Sequence, residues 1–92
     1  MDYEIKPELQ KILAKLKKRD KTAFEQIIKK VKEILNSDPD TYKNLRYDLK
    51  RFKRVHIKNA FVLVFLYDEQ SHFISFFDYD HHDNVYKKQY GL

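Results

Sequence analysis

Cysteine is absent from this 92-residue chain, which excludes a disulfide framework and any thiolate-bound metal. Long apolar stretches are missing too. The longest uninterrupted run, residues 60–67, falls far short of the roughly 20 residues a membrane helix needs. Residues 1–6, MDYEIK, lack the apolar core of a signal peptide, so the chain is expected in the cytoplasm. The sequence offers no Gly-rich phosphate loop, no Ser/His/Asp arrangement and no carboxylates paired at catalytic spacing. No cofactor is expected, and any catalysis must run on Arg, Lys, His and Tyr. No repeat or low-complexity segment divides the chain, and 42% hydrophobic content suits one domain, residues 1–92, with a thin core.

What is present is concentrated positive charge. Residues 43–58 carry Lys43, Arg46, Lys50, Arg51, Lys53, Arg54 and Lys58 against the single acid Asp48. That segment alone exceeds the +5 net charge of the whole chain, so the remainder is expected to be slightly acidic and the basicity local.

The hydrophobic period changes along the chain. Residues 3–6 alternate as a short edge strand. Pro7 stands at a helix start, and Leu9, Ile12, Leu13 and Leu16 follow at the spacing of one helical face. Thr22 to Glu25 reads as a capping box, followed by a second stripe of Phe24, Ile27, Ile28, Val31, Ile34 and Leu35. Asp38-Pro39 ends the helical hairpin. Residues 40–50 are an irregular connection that Tyr42, Leu45, Tyr47 and Leu49 are expected to pin to the core. Beyond it the period becomes two: residues 52–57 form a strand, Lys58-Asn59 a two-residue turn, residues 60–67 a strand covered on both faces, and residues 72–79 a last strand rich in Phe. The order predicts an α+β domain: an N-terminal strand, a two-helix hairpin, then a three-stranded antiparallel meander, with the helices on one face of a four-stranded sheet. Leu13, Leu16, Ile27, Ile28, Val31, Val64 and Leu66 are expected between helices and sheet.

Two constellations point to chemistry. Arg54, His56 and Lys58 alternate along one strand and are expected to share a face, presenting cationic or titratable groups to a phosphate backbone. The competing reading is a solvated face that keeps the sheet soluble. Interleaving with Tyr47, Phe52 and Phe61 favours nucleic acid, since aromatic rings add base stacking to counterion release. His82 and Tyr86 are four apart, so a helical tail brings them to one face, where His can exchange a proton near neutral pH and Tyr can donate a hydrogen bond. Here the competing reading is a tyrosine on the sheet edge and a histidine in solvent. Asp78, Asp80, His81, His82 and Asp83 resemble a ligand run, but no His pair has the spacing of a helical zinc site, and metal is not expected.

In this order, the opening Tyr-Glu-Ile strand, the helix pair, Asp38-Pro39 with Leu45-Arg46 after it, Arg54-Val-His-Ile57, the apolar strand and the tail His81-His-Asp-Asn-Val-Tyr86 resemble the RelE/ParE toxin superfamily, RelE-type members above all. The resemblance implies a toxin of a type II toxin–antitoxin system: a ribosome-dependent endoribonuclease that cuts translated messenger RNA. A small RelB-like antitoxin with an acidic segment would neutralise it. It also implies attack by the ribose 2′-hydroxyl on the neighbouring phosphate without a metal. Catalytic roles then fall to Arg54, His56, His82 and Tyr86, and substrate binding to Arg46, Lys53, Lys58 and His81.

Two departures from the family pattern stand out. The Arg common at the start of the long apolar strand has no counterpart in residues 60–66, and His82 occupies the place of a tail Arg. Each lost donor at a phosphorane costs roughly 10²-fold; Arg46, Lys53 and Lys58 are the residues able to replace that charge. A ParE-like gyrase poison of the same fold, or an RNA-binding relative without catalysis, stays open as an alternative.

Overall fold

A computed structural model describes residues 1–90. It contains strand β1 (Asp2–Ile5), helices α1 (Pro7–Arg19) and α2 (Lys21–Leu35), strands β2 (Lys53–Lys58), β3 (Phe61–Asp68) and β4 (Phe73–His81), and a one-turn helix α3 (His82–Val85). Single 3₁₀ turns, Pro39–Thr41 and Tyr47–Leu49, punctuate the connection between α2 and β2. The sheet order is β1-β4-β3-β2, with β1 parallel to β4 and the other pairs antiparallel. This is the expected α+β architecture. Among the described residues no helix is long and apolar enough to cross a membrane.

Pro7 opens α1, where its missing N–H costs nothing. The break to α2 is a single residue. Asp20 caps α2 by accepting from the Ala23 N–H at 3.1 Å, so the helix begins before the capping box expected at Thr22. Asn36 and Ser37 bond back to the carbonyls of Lys32 and Ile34 and terminate it.

Two apolar layers sandwich the sheet. Leu9, Leu13, Ile27, Val31 and Ile34 of the helices pack on Leu63, Phe65, Ile74 and Phe76. On the opposite face, Leu45, Leu49, Phe52, Val62, Val64, Phe77 and Val85 form a second cluster, with Leu66 and Tyr90 packed against it. Val64 and Leu66 therefore lie away from the helices rather than beneath them; strand alternation sends them opposite to Leu63 and Phe65. Leu16 and Ile28 are half-buried against the helix-side layer or at its margin. Phe52 sits in the turn before β2 at 3% exposure, an anchor of the second core instead of a stacking surface.

A bulge shapes the central strand pair. Val64 pairs with Asp78, but Phe65 pairs with Phe76, leaving Phe77 as the extra residue. Phe77 and Asp78 consequently both serve the second face. Phe77 packs edge-on to Phe52 and Tyr90, and Asp78 accepts from Tyr90 Oη and Lys88 Nζ, each at 2.7 Å. Lys88 also reaches Asp80 at 2.7 Å. Burial disfavours its charge, yet its bonds to Asp78 and Asp80 outweigh that and hold its pKa above the usual lysine range. These contacts clasp the chain after α3 onto the face away from the helices.

Candidate functional site

The second face also carries the site. Arg54 and His56 pair with Val64 and Val62 on β3, and so alternate onto the same side as the second core, at its edge. Residues 43–45 run beside β2: Arg54 N–H donates to the Lys43 carbonyl at 2.9 Å, and Leu45 N–H donates to the Phe52 carbonyl at 2.8 Å. With Leu45 buried, Arg46 and Tyr47 emerge at the rim. From the other side, His82 N–H donates to the Ala60 carbonyl at 2.8 Å and seats α3 on the β2–β3 turn. Val85 is buried beneath it. Arg46, Tyr47, Arg54, His56, His82 and Tyr86 thereby line one cleft of about 290 Å³, and no acid is among them. A second groove, of about 450 Å³, shares Arg46, Tyr47 and Tyr86 with the cleft and extends past Arg51 and Lys87.

A hydrogen bond at one ring and an ion-pair contact at the other favour different protonation sites on the two cleft histidines. Arg54 Nη1 lies 3.3 Å from His56 Nδ1, and a guanidinium can only donate. His56 Nδ1 therefore accepts, and its neutral ring carries the proton on Nε2. His82 Nδ1 lies 3.0 Å from an Asp83 carboxylate oxygen, an ion-pair contact that favours a proton on that nitrogen and, in the neutral ring, a lone pair on Nε2. The two rings meet edge-on, 6.5 Å between centroids.

Aromatic side chains close the cleft. Tyr86 packs its ring edge-on to Tyr47 at 6.2 Å, and its hydroxyl accepts from Arg46 N–H at 3.2 Å. Tyr47 is 80% exposed and has a left-handed φ of 59°. It is not pinned to the core, as its apolar bulk suggested. A non-glycine residue in that region stores strain, and such strain gathers at functional surfaces.

Arg54, His56, His82, Tyr86 and Arg46 are thus together, and three other candidates are elsewhere. Lys53 alternates to the helix side, where its ammonium donates to the Tyr42 carbonyl at 3.2 Å and Asn44 Oδ1 at 3.1 Å. Lys58 follows an irregular step in the β2–β3 register, after which it lines a depression with Leu16, Phe61 and Tyr79 on the helix side. It does not share the face of Arg54 and His56. Phe61 stacks on Tyr79 there and is remote from a base-stacking role in the cleft. His81 caps α3, its Nδ1 accepting from Asp83 N–H at 3.2 Å. Asp83, which orients His82, was passed over because its role depends on a backbone turn that spacing does not reveal. Basic charge is also less local than the sequence suggested: residues 7–35 hold nine basic residues against four acidic ones.

Two relatives match this chain over nearly its full length. It is 54% identical over 88 residues, 96% of this chain and 93% of the other, to a protein of Methanocaldococcus jannaschii named "Putative toxin RelE4". It is 46% identical over 83 residues, 90% of this chain and 95% of the other, to an uncharacterized protein of Methanosarcina mazei. No protein-family model and no solved structure matches it. The chain belongs to the RelE family, toxins of toxin–antitoxin systems.

Proposed function

We propose that this toxin cleaves messenger RNA on the ribosome by transesterification within the cleft between β2 and α3. The observation that carries the reading is the meeting of His56, whose Nδ1 faces an Arg54 donor, and His82, whose Nδ1 faces an Asp83 carboxylate, in a cleft lined by Arg46 and Arg54 and by no acid. His82 Nε2, with its lone pair free, takes the proton from a ribose 2′-hydroxyl. The 2′-oxygen attacks phosphorus, the bond from phosphorus to the 5′-oxygen breaks, and the neutral His56 Nε2–H hydrogen-bonds to that leaving oxygen while solvent water supplies its proton. A 2′,3′-cyclic phosphate and a free 5′-hydroxyl result, and His82 passes the abstracted proton to the hydroxide left by that water, so the proton count closes. Arg54 and Arg46 stabilise the charge that builds on the phosphorane. Tyr47 and Tyr86 offer ring faces to the flanking bases. The groove past Arg51 and Lys87 offers a basic path for the adjoining backbone.

The reading implies two partners, the ribosome with its message and a small RelB-like antitoxin whose acidic segment covers the Arg-lined face in the resting cell. Induced expression followed by transcript end-mapping tests it. Cuts within translated codons, lost in Arg54→Ala and His82→Gln, are expected. Intact transcripts with accumulating DNA breaks would replace this reading by gyrase poisoning.

A further inference from the structure

The run of histidines and acids after β4 looked unsuited to a metal because neighbouring side chains ordinarily diverge. The backbone changes that. β4 ends at His81 and α3 begins at once, so the chain curls, and ligand atoms of His81, His82 and Asp83 all lie within 4.8 Å of one another. Asp83 is the hub, with one carboxylate oxygen 3.0 Å from His82 Nδ1 and the other 3.7 Å from His81 Nδ1, whose lone pair exchanges the Asp83 N–H it accepts at 3.2 Å for the ion. The two imidazoles stack, 4.9 Å between centroids. A tetrahedral zinc with bonds of about 2.0–2.1 Å holds its ligands about 3.3 Å apart, and each imidazole lies near that separation from one Asp83 oxygen, a different oxygen for each, so a small turn of the carboxylate brings one oxygen to both. All three side chains are partly open to solvent.

We infer that His81, His82 and Asp83 bind a borderline divalent transition-metal ion, zinc being the probe of choice, and that its binding switches off the cleft. Two imidazoles and one carboxylate suit zinc, cobalt or nickel, whereas magnesium and calcium require oxygen ligands. Charge agrees locally despite the basic chain: residues 59–92 hold five acids against two lysines. Inhibition follows from valence. An ion on His82 Nδ1 displaces the proton that Asp83 holds there, so the neutral ring must carry its proton on Nε2. The lone pair facing the 2′-hydroxyl is lost, and His82 can no longer act as the base. This second half rests on the proposed cleavage reaction; the binding site does not.

Calorimetric titration of the full chain with zinc chloride should show one site per chain. Asp83→Asn should weaken it about tenfold or more, and His72→Gln, which alters the histidine in the turn before β4, should match the parent. Equal affinity in Asp83→Asn and the parent overturns the site. Imidazole resonances supply a check that is independent of any variant: zinc should shift those of His81 and His82 and leave His72 in place, and the absence of shifts at His81 and His82 also overturns it. In the cleavage assay zinc should slow the parent about tenfold, a chelator should restore it, and His81→Gln should lose the sensitivity whatever its basal rate. Zinc that binds at His81 and His82 without slowing cleavage leaves the metal site standing and overturns the inhibition, and with it the role of His82 as base.

Discussion

The Tyr86 hydroxyl accepts a hydrogen bond from the backbone N–H of Arg46 at 3.2 Å, joining the two ends of the second face across forty residues of chain. The bond holds the Arg46 side of the cleft against α3 and leaves the phenolic proton free to donate. Tyr86→Phe removes that bond, a net change of about 1 kcal/mol, and should lower cleavage about fivefold. Tyr86→Ala also removes the ring beside Tyr47 and should cost considerably more. Rates on ribosome-bound message, with hydrogen exchange at the Arg46 amide, separate the two contributions. A loss with Phe as large as with Ala would assign proton transfer, not positioning, to the hydroxyl.

The two apolar layers should respond differently to truncation. Leu9→Ala or Ile27→Ala opens a cavity between helices and sheet and should cost about 2–5 kcal/mol in urea unfolding. Leu16→Ala, half-buried, should cost less. Leu45→Ala lies in the second layer, one residue from Arg46, so it should lose both stability and cleavage. Cleavage per folded molecule that survives Leu45→Ala intact would show that the rim does not depend on that anchor.

Much of this arrangement was readable because it rests on period. The stripe from Leu9 to Leu16, the all-apolar third strand and the four-residue spacing of His82 and Tyr86 each follow from local geometry. What escaped depends on partners. The displacement of Lys58 from Arg54 and His56 arises from a register step against β3, and the pairing of Phe77 with Asp78 on one face arises from a bulge. Neither leaves a mark in hydrophobicity. The second core was partly hidden for a related reason: its cover is an irregular segment plus a one-turn helix, and while Leu45 and Leu49 pin that segment as their sequence suggested, only burial identifies Phe52 as an anchor. Asp20 took the cap from Thr22 because the helices join with no residue to spare.

Alkaline pH should loosen the C-terminal clasp. Burial, together with its bond to Asp78 and the charges of Asp78 and Asp80, holds the Tyr90 hydroxyl far above its ordinary pKa. A group whose pKa is raised by folding contributes stability that is complete below its unfolded value and fades as pH climbs toward the folded one. For tyrosine that decline begins near pH 10, and Lys88 shifts in the same sense. Thermal unfolding from pH 9 to 11.5 should therefore fall more steeply in the parent than in Tyr90→Phe. Parallel curves would mean that the Tyr90 hydroxyl contributes nothing to the pH dependence.

Association with the antitoxin should be strongly salt-dependent. An Arg-lined cleft without acids, extended by a groove where Arg51 and Lys87 outnumber the single acid Asp48, attracts an acidic segment over long range, and ions screen that attraction beyond about 8–10 Å. Stopped-flow rates should drop by about tenfold or more between low and physiological ionic strength, and Arg54→Gln should flatten the dependence. A rate indifferent to salt removes the electrostatic account of partner recognition.

The division of labour between the histidines can be tested with a changed leaving group. If His82 is the base and His56 the hydrogen-bond donor to the leaving oxygen, His82→Gln should lose about 10²-fold or more on ordinary message and His56→Gln a smaller, clear amount. An RNA carrying sulfur in place of the bridging 5′-oxygen at the cut site separates them, because a thiolate departs without a proton. His56→Gln should recover most of its rate on that substrate. His82→Gln should not, since the 2′-hydroxyl must still be deprotonated. Asp83→Asn should follow His82→Gln with a smaller loss, because the carboxylate acts only by holding the proton on Nδ1. Rescue of His82→Gln instead would reverse the assignment and place the base on His56, against the hydrogen bond its Nδ1 accepts from Arg54. Failure of both histidine variants to slow the native substrate would transfer the chemistry to Arg54 and Arg46, which share the cleft and need no imidazole.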